Sequence, residues 1–281
     1  MFCHISGYLF TELPSTELVT RRQQLKTQAD TMALKGTILL SVEGINVFLS
    51  APEAQIDAYV SYLKTYPEWS QLSVKKSFSH EVIFKRMLVK IKKEIITLGH
   101  PEVIPAEHTA PYISPEELKQ WYESGQEFVI LDTRNDYEAA VGSFDQALTL
   151  PIQHFTQFPD AINTLPPKLK NKPVVTFCTG GIRCEKAAEW MQQQGFQSVY
   201  QLEGGILNYF EKVGGAHYHG ECFVFDQRLT VNPALEATQT MHCVSHPMGD
   251  QDCEFCQHMQ KSRLNLNQQM NQQMNQLGES A

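Results

Sequence analysis

Val174-Val175-Thr176-Phe177-Cys178-Thr179-Gly180-Gly181-Ile182-Arg183 is the stretch on which the fold and the chemistry of this chain turn. The apolar run from Val174 to Phe177 reads as a strand covered on both faces, and Cys184 to Gln194 reads as a helix. Between them the chain bends on Gly180-Gly181. A strand that ends in a cysteine and passes through a tight glycine turn into a helix holds the thiol over backbone N–H groups and a helix N-terminus. Such a setting favours a thiolate. Four residues, two of them glycine, separate Cys178 from Arg183, so the loop N–H groups can curl inward around a thiolate, a persulfide sulfur or a small oxyanion. Cys178 and Arg183 are the expected catalytic pair, and Thr179, Gly180, Gly181 and Ile182 the expected substrate-binding loop.

Outward from this loop the pattern is α/β. Phe128-Val129-Ile130-Leu131 is a second strand of the doubly covered kind. Helices are expected at Tyr137 to Val141, Phe155 to Leu165, Ile182 to Gln194 and Ile206 to Val213, around a parallel sheet. Open parallel sheets carry their active sites outside the carboxyl ends of the strands, where Cys178 falls. Ser114-Pro115-Glu116-Glu117-Leu118 opens a helix, with Ser at the cap, Pro in the first turn and Glu three residues after the cap. The expected domain spans residues 113–215, preceded by a linker at 97–112 in which Pro101, Pro105 and Pro111 suppress regular structure.

Residues 1–96 alternate strands and helices differently. Strands are expected at Ile5 to Phe10, Thr37 to Val42, Ile45 to Ser50, Leu72 to Ser77 and Met87 to Ile95, with a hairpin signal at Glu43-Gly44. Helices are expected from a Ser15 cap to Leu34 and from Pro52 onward. The order βαββαβ is the ferredoxin-like plan, two helices on one face of an antiparallel sheet. Lys75, Lys76, Lys85, Arg86, Lys90, Lys92 and Lys93 make this domain locally basic. Alternation on the last strand puts Arg86, Leu88, Lys90 and Lys92 on one face, with Met87, Val89 and Ile91 on the other. That stripe reads either as a phosphate-backbone contact centred on Lys90 and Lys92 or as a solvated sheet face.

With 281 residues, 42% of them hydrophobic, the chain can bury two modest cores. The net charge of −8 excludes a polycation, so a nucleic-acid contact has to be local. Seven irregularly spaced cysteines, no cleavable apolar leader and no run of eighteen apolar residues point to the cytoplasm and away from a membrane. Beyond Gly215 a hairpin is expected at Phe223 to Val231. A Cys/His-rich segment follows to residue 262, and an Asn/Gln-rich mobile tail fills 263–281. Cys243-x-x-His246 and Cys253-x-x-Cys256 can supply the four ligands of a structural zinc, or stand as reduced cysteines in a loose segment. Cys3 and Cys222 read as buried thiols, and Cys184 as a packed helix cysteine or a resolving thiol.

The loop Cys178 to Arg183 resembles the active-site loop of the rhodanese superfamily, Cys-x-x-Gly-x-Arg. Asp132-Thr133-Arg134-Asn135-Asp136-Tyr137-Glu138 is similar to that fold's Asp-x-Arg-x-x-x-Glu segment, and Leu202-Glu203-Gly204-Gly205-Ile206 matches it further on. A related phosphatase loop has one more residue between Cys and Arg, which disfavours phosphatase chemistry here. Three stretches narrow the resemblance to the tRNA uridine hydroxylase family: Gly36 to Asn46, Cys178 to Ala187 and Gly220 to Asp226. Val47-Phe48 departs from the Gly-Thr that many members carry, and Ala51 stands at a common glycine. The resemblance implies an acylphosphatase-like N-terminal domain, a rhodanese domain, and tRNA rather than DNA as the partner. It further implies oxygen-dependent conversion of the wobble uridine to 5-hydroxyuridine, with dioxygen as co-substrate and Cys178 acting as thiolate or persulfide. The thiolate route needs no metal or flavin. The competing expectation is a sulfurtransferase that moves sulfane sulfur through a Cys178 persulfide.

Overall fold

The computed structural model describes residues 1–226 and 228–238, in two compact units, Met1–Thr97 and Leu98 onward. The quartet Cys243, His246, Cys253 and Cys256 and the 263–281 segment lie outside the described residues.

The first unit runs β1 (Phe2–Phe10), α1 (Leu18–Thr31), β2 (Lys35–Ser41), β3 (Gly44–Ala51), α2 (Glu53–Lys64), β4 (Ser73–Ser79) and β5 (Met87–Ile91). Its sheet order is β4-β1-β3-β2-β5. The first four strands are antiparallel neighbours, which is the ferredoxin-like arrangement, whereas β5 adds a fifth strand parallel to β2 at the edge. The expected βαββαβ order is therefore βαββαββ. Alternate residues of β2 and β3, Ile38, Leu40, Ile45, Val47 and Leu49, are buried with Leu25 and Ala29 of α1 and Ile56, Tyr59 and Leu63 of α2. Helix α1 starts at Leu18 after a turn, with Glu17 and not Ser15 at its cap and no side-chain cap bond.

The sheet divides the basic residues between its edges and shortens the last strand. Lys75 and Lys76 sit on β4 and Lys90 on β5, at opposite edges, roughly four strand spacings or about 19 Å apart. The stripe expected on the last strand is therefore not extended by Lys75 and Lys76. Lys76 also pairs with Glu53 and Asp57 of α2. On β5 Met87 and Val89 are buried as the alternation requires, but the strand stops at Ile91, which is 38% exposed. The hairpin turn at Val42-Glu43 is tied to the chain beyond β5. Ser41 Oγ donates to Lys93 O at 2.7 Å, Glu43 Oε1 accepts from Ile95 N–H at 2.6 Å, and Asn46 Nδ2 donates to Ile95 O at 3.2 Å. The Glu43-Gly44-Ile45-Asn46 motif thus clamps the segment that leaves the edge strand.

The second unit contains β6 (Tyr112–Ile113), α3 (Pro115–Ser124), β7 (Val129–Asp132), α4 (Asp136–Ala139), β8 (Gly142–Phe144), α5 (Phe158–Asn163), β9 (Pro173–Phe177), α6 (Ile182–Gln193), β10 (Ser198–Leu202) and α7 (Gly205–Val213). Short strands β11 (Tyr218–Gly220), β12 (Cys222–Phe223) and β13 (Thr230–Val231) follow. The main sheet, β6-β10-β9-β7, is parallel throughout. Val175, Phe177, Ile130 and Leu202 pack in its core with Leu118 of α3 and Ile206 and Tyr209 of α7. Ser114 caps α3 by accepting from Glu117 N–H at 3.1 Å. The segment expected as a linker lacks helix and strand up to Tyr112 but does not hang free. Leu98, Val103 and Ala110 are buried, and Thr109 donates to Glu185 of α6 at 2.7 Å. Prolines suppress regular hydrogen bonding without preventing burial.

Candidate active site

Three loops at the carboxyl ends of β7, β9 and β10 meet around Cys178. The loop after β9 is the nucleus. Gly181 caps α6 at φ +96°, a left-handed conformation that favours glycine, and its N–H donates to Cys178 Sγ at 3.1 Å. The carbonyls of the loop are turned the other way, onto the N-terminus of α7: Ile206 N–H donates to Cys178 O at 2.9 Å and Leu207 N–H to Thr179 O at 3.1 Å. Gly205, at φ +64°, makes this approach possible, since a Cβ there would stand 2.4 Å from Cys178 O. With its carbonyls tied back, the loop leaves its N–H groups to the sulfur.

The electrostatics follow from this geometry. Cys178 is only 1% exposed, and burial pushes its thiol up. A hydrogen bond from Cys184, the Arg183 charge and the N–H groups of Arg183 and Gly180 outweigh burial and bring the thiol down to about 6. Cys184 is the complementary partner: burial, and then the neighbouring Cys178, hold its thiol well above the ordinary value, so it stays protonated and donates. Thr133 Oγ1 lies 3.8 Å from Cys184 Sγ. Cys184 is fully buried beside the reactive sulfur, and the structure adds to the two roles open to it in the sequence, packed or resolving thiol, that of donor to Cys178.

Arg183 is committed elsewhere than the sequence suggests. Its Nη1 and Nη2 each donate to one Glu138 carboxylate oxygen at 2.7 Å, a two-pronged buried pair. Burial opposes the Arg183 charge, and Glu138 more than restores it. Glu138 also accepts from Asn135 N–H at 3.2 Å, so one carboxylate both caps α4 and fixes the guanidinium. Beneath it, Arg134 and Asp132 form a fully buried pair at 2.6 Å, with Arg134 Nη2 also donating to Gly142 O at 2.6 Å. These two pairs explain the Asp132, Arg134 and Glu138 positions as scaffolding for the loop.

The fourth wall comes from the β12–β13 hairpin. Thr179 Oγ1 donates to Phe223 O at 3.2 Å. Cys222 is fully buried beside Thr179, and burial pushes its thiol up to about 12 against the pull of Arg134 and Thr179, which makes it inert. Phe223 sets its ring against Tyr137, and Phe225 lies 5.7 Å from Arg183 Cζ. Spacing alone does not show this wall, although the Gly220 to Asp226 motif marks the segment.

The structure thus gathers Cys178, Thr179, Gly180 and Gly181 in the turn after β9, with Ile182 and Arg183 opening α6 directly behind it. Lys90 is on β5 of the first unit and Lys92 just beyond it. Both are exposed, as are Lys85, Arg86 and Lys93, and none of the five forms a side-chain ion pair among the described residues. No group of three or more metal-binding side chains occurs among the described residues, and no described helix is long and apolar enough to cross a membrane.

Comparison with known proteins covers both units. A UPF0176 acylphosphatase-like domain matches residues 2–95, and a rhodanese-like domain matches residues 114–212. A tRNA uridine(34) hydroxylase of Cupriavidus necator is 48% identical over 85% of this chain and 86% of its own length. The chain belongs to the tRNA uridine(34) hydroxylase family. Proteins of the same name from Delftia acidovorans, 47% identical over 84% of this chain and 90% of theirs, and Burkholderia vietnamiensis, 45% identical over 85% and 87%, agree.

Proposed function

We infer that this protein is an oxidoreductase that hydroxylates uridine 34, the wobble uridine, of tRNA. The observation that carries the chemistry is the Cys178 thiol held at about 6 by hydrogen-bond donors and the Arg183 charge, in a chain that belongs to this family. Such a thiol is mostly thiolate at neutral pH and can act as a nucleophile. In the thiolate route Cys178 sulfur bonds to C6 of uracil, and the C5–C6 π pair moves into an enolate across C5, C4 and O4. The enolate carbon C5 bonds to one oxygen of dioxygen. An external reductant supplies two electrons and two protons, the O–O bond breaks, and the second oxygen leaves as water. Loss of the C5 proton and departure of the Cys178 thiolate restore the C5–C6 double bond of 5-hydroxyuridine. The same loop N–H groups fit a Cys178 persulfide as the working form of the sulfur.

The exposed cations along the β5 edge, Lys90 and Lys92 with Lys85, Arg86 and Lys93, are suited to the phosphate backbone of tRNA. A water-soluble tRNA substrate goes with the cytoplasm as the place of action.

Nucleoside mass spectrometry of tRNA from cells lacking the gene, complemented with wild-type or Cys178→Ser protein, tests the reading. Wild type restores 5-hydroxyuridine derivatives and the variant does not. Restoration by Cys178→Ser would overturn both the thiolate and the persulfide forms, and loss of thiolated nucleosides in place of hydroxylated ones would mark a sulfurtransferase.

A further inference from the structure

Phe225 is a large aromatic residue with no core to join. It is 53% exposed, at the tip of the β12–β13 hairpin, and the tip is braced to hold it there. Asp226 accepts from Arg228 Nε at 2.9 Å and Nη2 at 2.6 Å, and Val224 N–H donates to Leu229 O at 2.8 Å. Below, the Phe223 ring meets Phe225 edge-on at 5.3 Å and Tyr137 edge-on at 5.5 Å. Phe225 is thereby supported by another ring and lies 5.7 Å from Arg183 Cζ, whose charge acts directly on Cys178. An exposed aromatic ring, backed by Phe223 and set beside the Arg183 of a nucleophile's loop, has the form of a stacking platform for a flat ring.

Resting on the uridine-hydroxylation reading above, we propose that Phe225 stacks on the uracil of nucleotide 34 and holds its C6 toward Cys178. The chemistry selects the occupant. Uracil is neutral and planar and has a π face, so stacking captures it without competing for the Arg183–Glu138 pair. A base delivered to a buried thiol must leave the anticodon stack, and an aromatic partner offsets that loss. Phe225 acts through positioning: it touches the substrate ring but takes no part in bond making.

The test uses full-length protein and a synthetic anticodon stem-loop with uridine at position 34, beside the same RNA with an abasic ribose there. Phe225→Ala weakens binding of the uridine RNA about tenfold, the scale expected for one lost base–aromatic stack. Phe225→Trp restores it, and Phe225→Leu, similar in bulk but not flat, does not. Wild type and Phe225→Ala bind the abasic RNA equally, because the two deletions remove one shared interaction. Equal weakening toward both RNAs, or no weakening, overturns the proposal. So does a shift of the Cys178 alkylation midpoint in Phe225→Ala, which would make the ring a shield for Arg183. Uridine-selective binding by a wild-type protein that hydroxylates nothing would refute the function assigned above and leave the stacking platform standing.

Discussion

Removing the Cys184 thiol raises the Cys178 pKa by about one unit without touching the reactive residue. Burial pushes Cys178 up, and the Cys184 hydrogen bond stands first among the influences that bring it down to about 6. A hydrogen bond to a charged group is worth about 1.5–3 kcal/mol, and a thiol is a weak donor, which places this one near the lower end. At about 1.36 kcal/mol per pKa unit, Cys184→Ala moves Cys178 from about 6 to about 7. The thiolate fraction at pH 6 then drops from about one half to about one tenth, whereas at pH 9 it stays near unity. Iodoacetamide alkylation of Cys178, followed by peptide mass spectrometry across pH 5 to 9, reads this as a rate about fivefold slower at pH 6 and unchanged at pH 9. Cys184→Ser keeps a donor of similar size, so its midpoint stays with wild type. An unmoved midpoint in Cys184→Ala, or an equal shift in Cys184→Ser, would refute the donor role.

Three further outcomes are expected. Cys178 binds fewer protons folded than unfolded between its folded value of about 6 and its ordinary 9.0. Its contribution to stability is therefore complete above about pH 9 and lost as pH falls through 6, so urea titrations should show wild type gaining on Cys178→Ala from pH 6 to 9, never the reverse. Gly205→Ala puts a Cβ 2.4 Å from Cys178 O at a φ of +64°. The melting temperature should fall, with about 1–2 kcal/mol from the backbone alone, and Cys178 alkylation should slow; an unaltered alkylation rate would show that α7 does not shape the loop. Lys90→Glu with Lys92→Glu should weaken tRNA binding most at low salt, and equal affinity in 50 mM salt would remove the β5 edge from the interface.

What the sequence made legible was what it kept local. Cys178 to Arg183 are consecutive, so strand, glycine turn and helix could be read together, and the hairpin signal at Glu43-Gly44 was evident from one short window, one residue from the turn at Val42-Glu43. Contacts between distant residues were not readable. Glu138 lies 45 positions from Arg183, and Phe223 lies 44 from Thr179. An isolated Arg after a glycine turn looks available to a ligand until its buried carboxylate is placed beside it. The division of the basic residues between two edges was hidden for a related reason: periodicity assigns a lysine to a face of its own strand but is silent on which strands are neighbours. Only the sheet order separates Lys75 from Lys90. Proline counting found the irregular segment before Tyr112 but could not see its burial, because burial depends on what Leu98, Val103 and Ala110 meet.

The Arg183–Glu138 pair also bears on the charge balance of the cup. Once Cys178 ionises, its thiolate adds a negative charge beside the two neutralised pairs, Arg183–Glu138 and Arg134–Asp132. A second anion brought to about 4 Å from the sulfur at an effective dielectric near 20 would meet about 4 kcal/mol of repulsion per unit charge. A doubly charged anion would have to offset that repulsion with the loop N–H donors and the Arg183 charge. Uracil and dioxygen, both neutral, meet no such repulsion, so ionising the nucleophile costs the expected reactants nothing in approach.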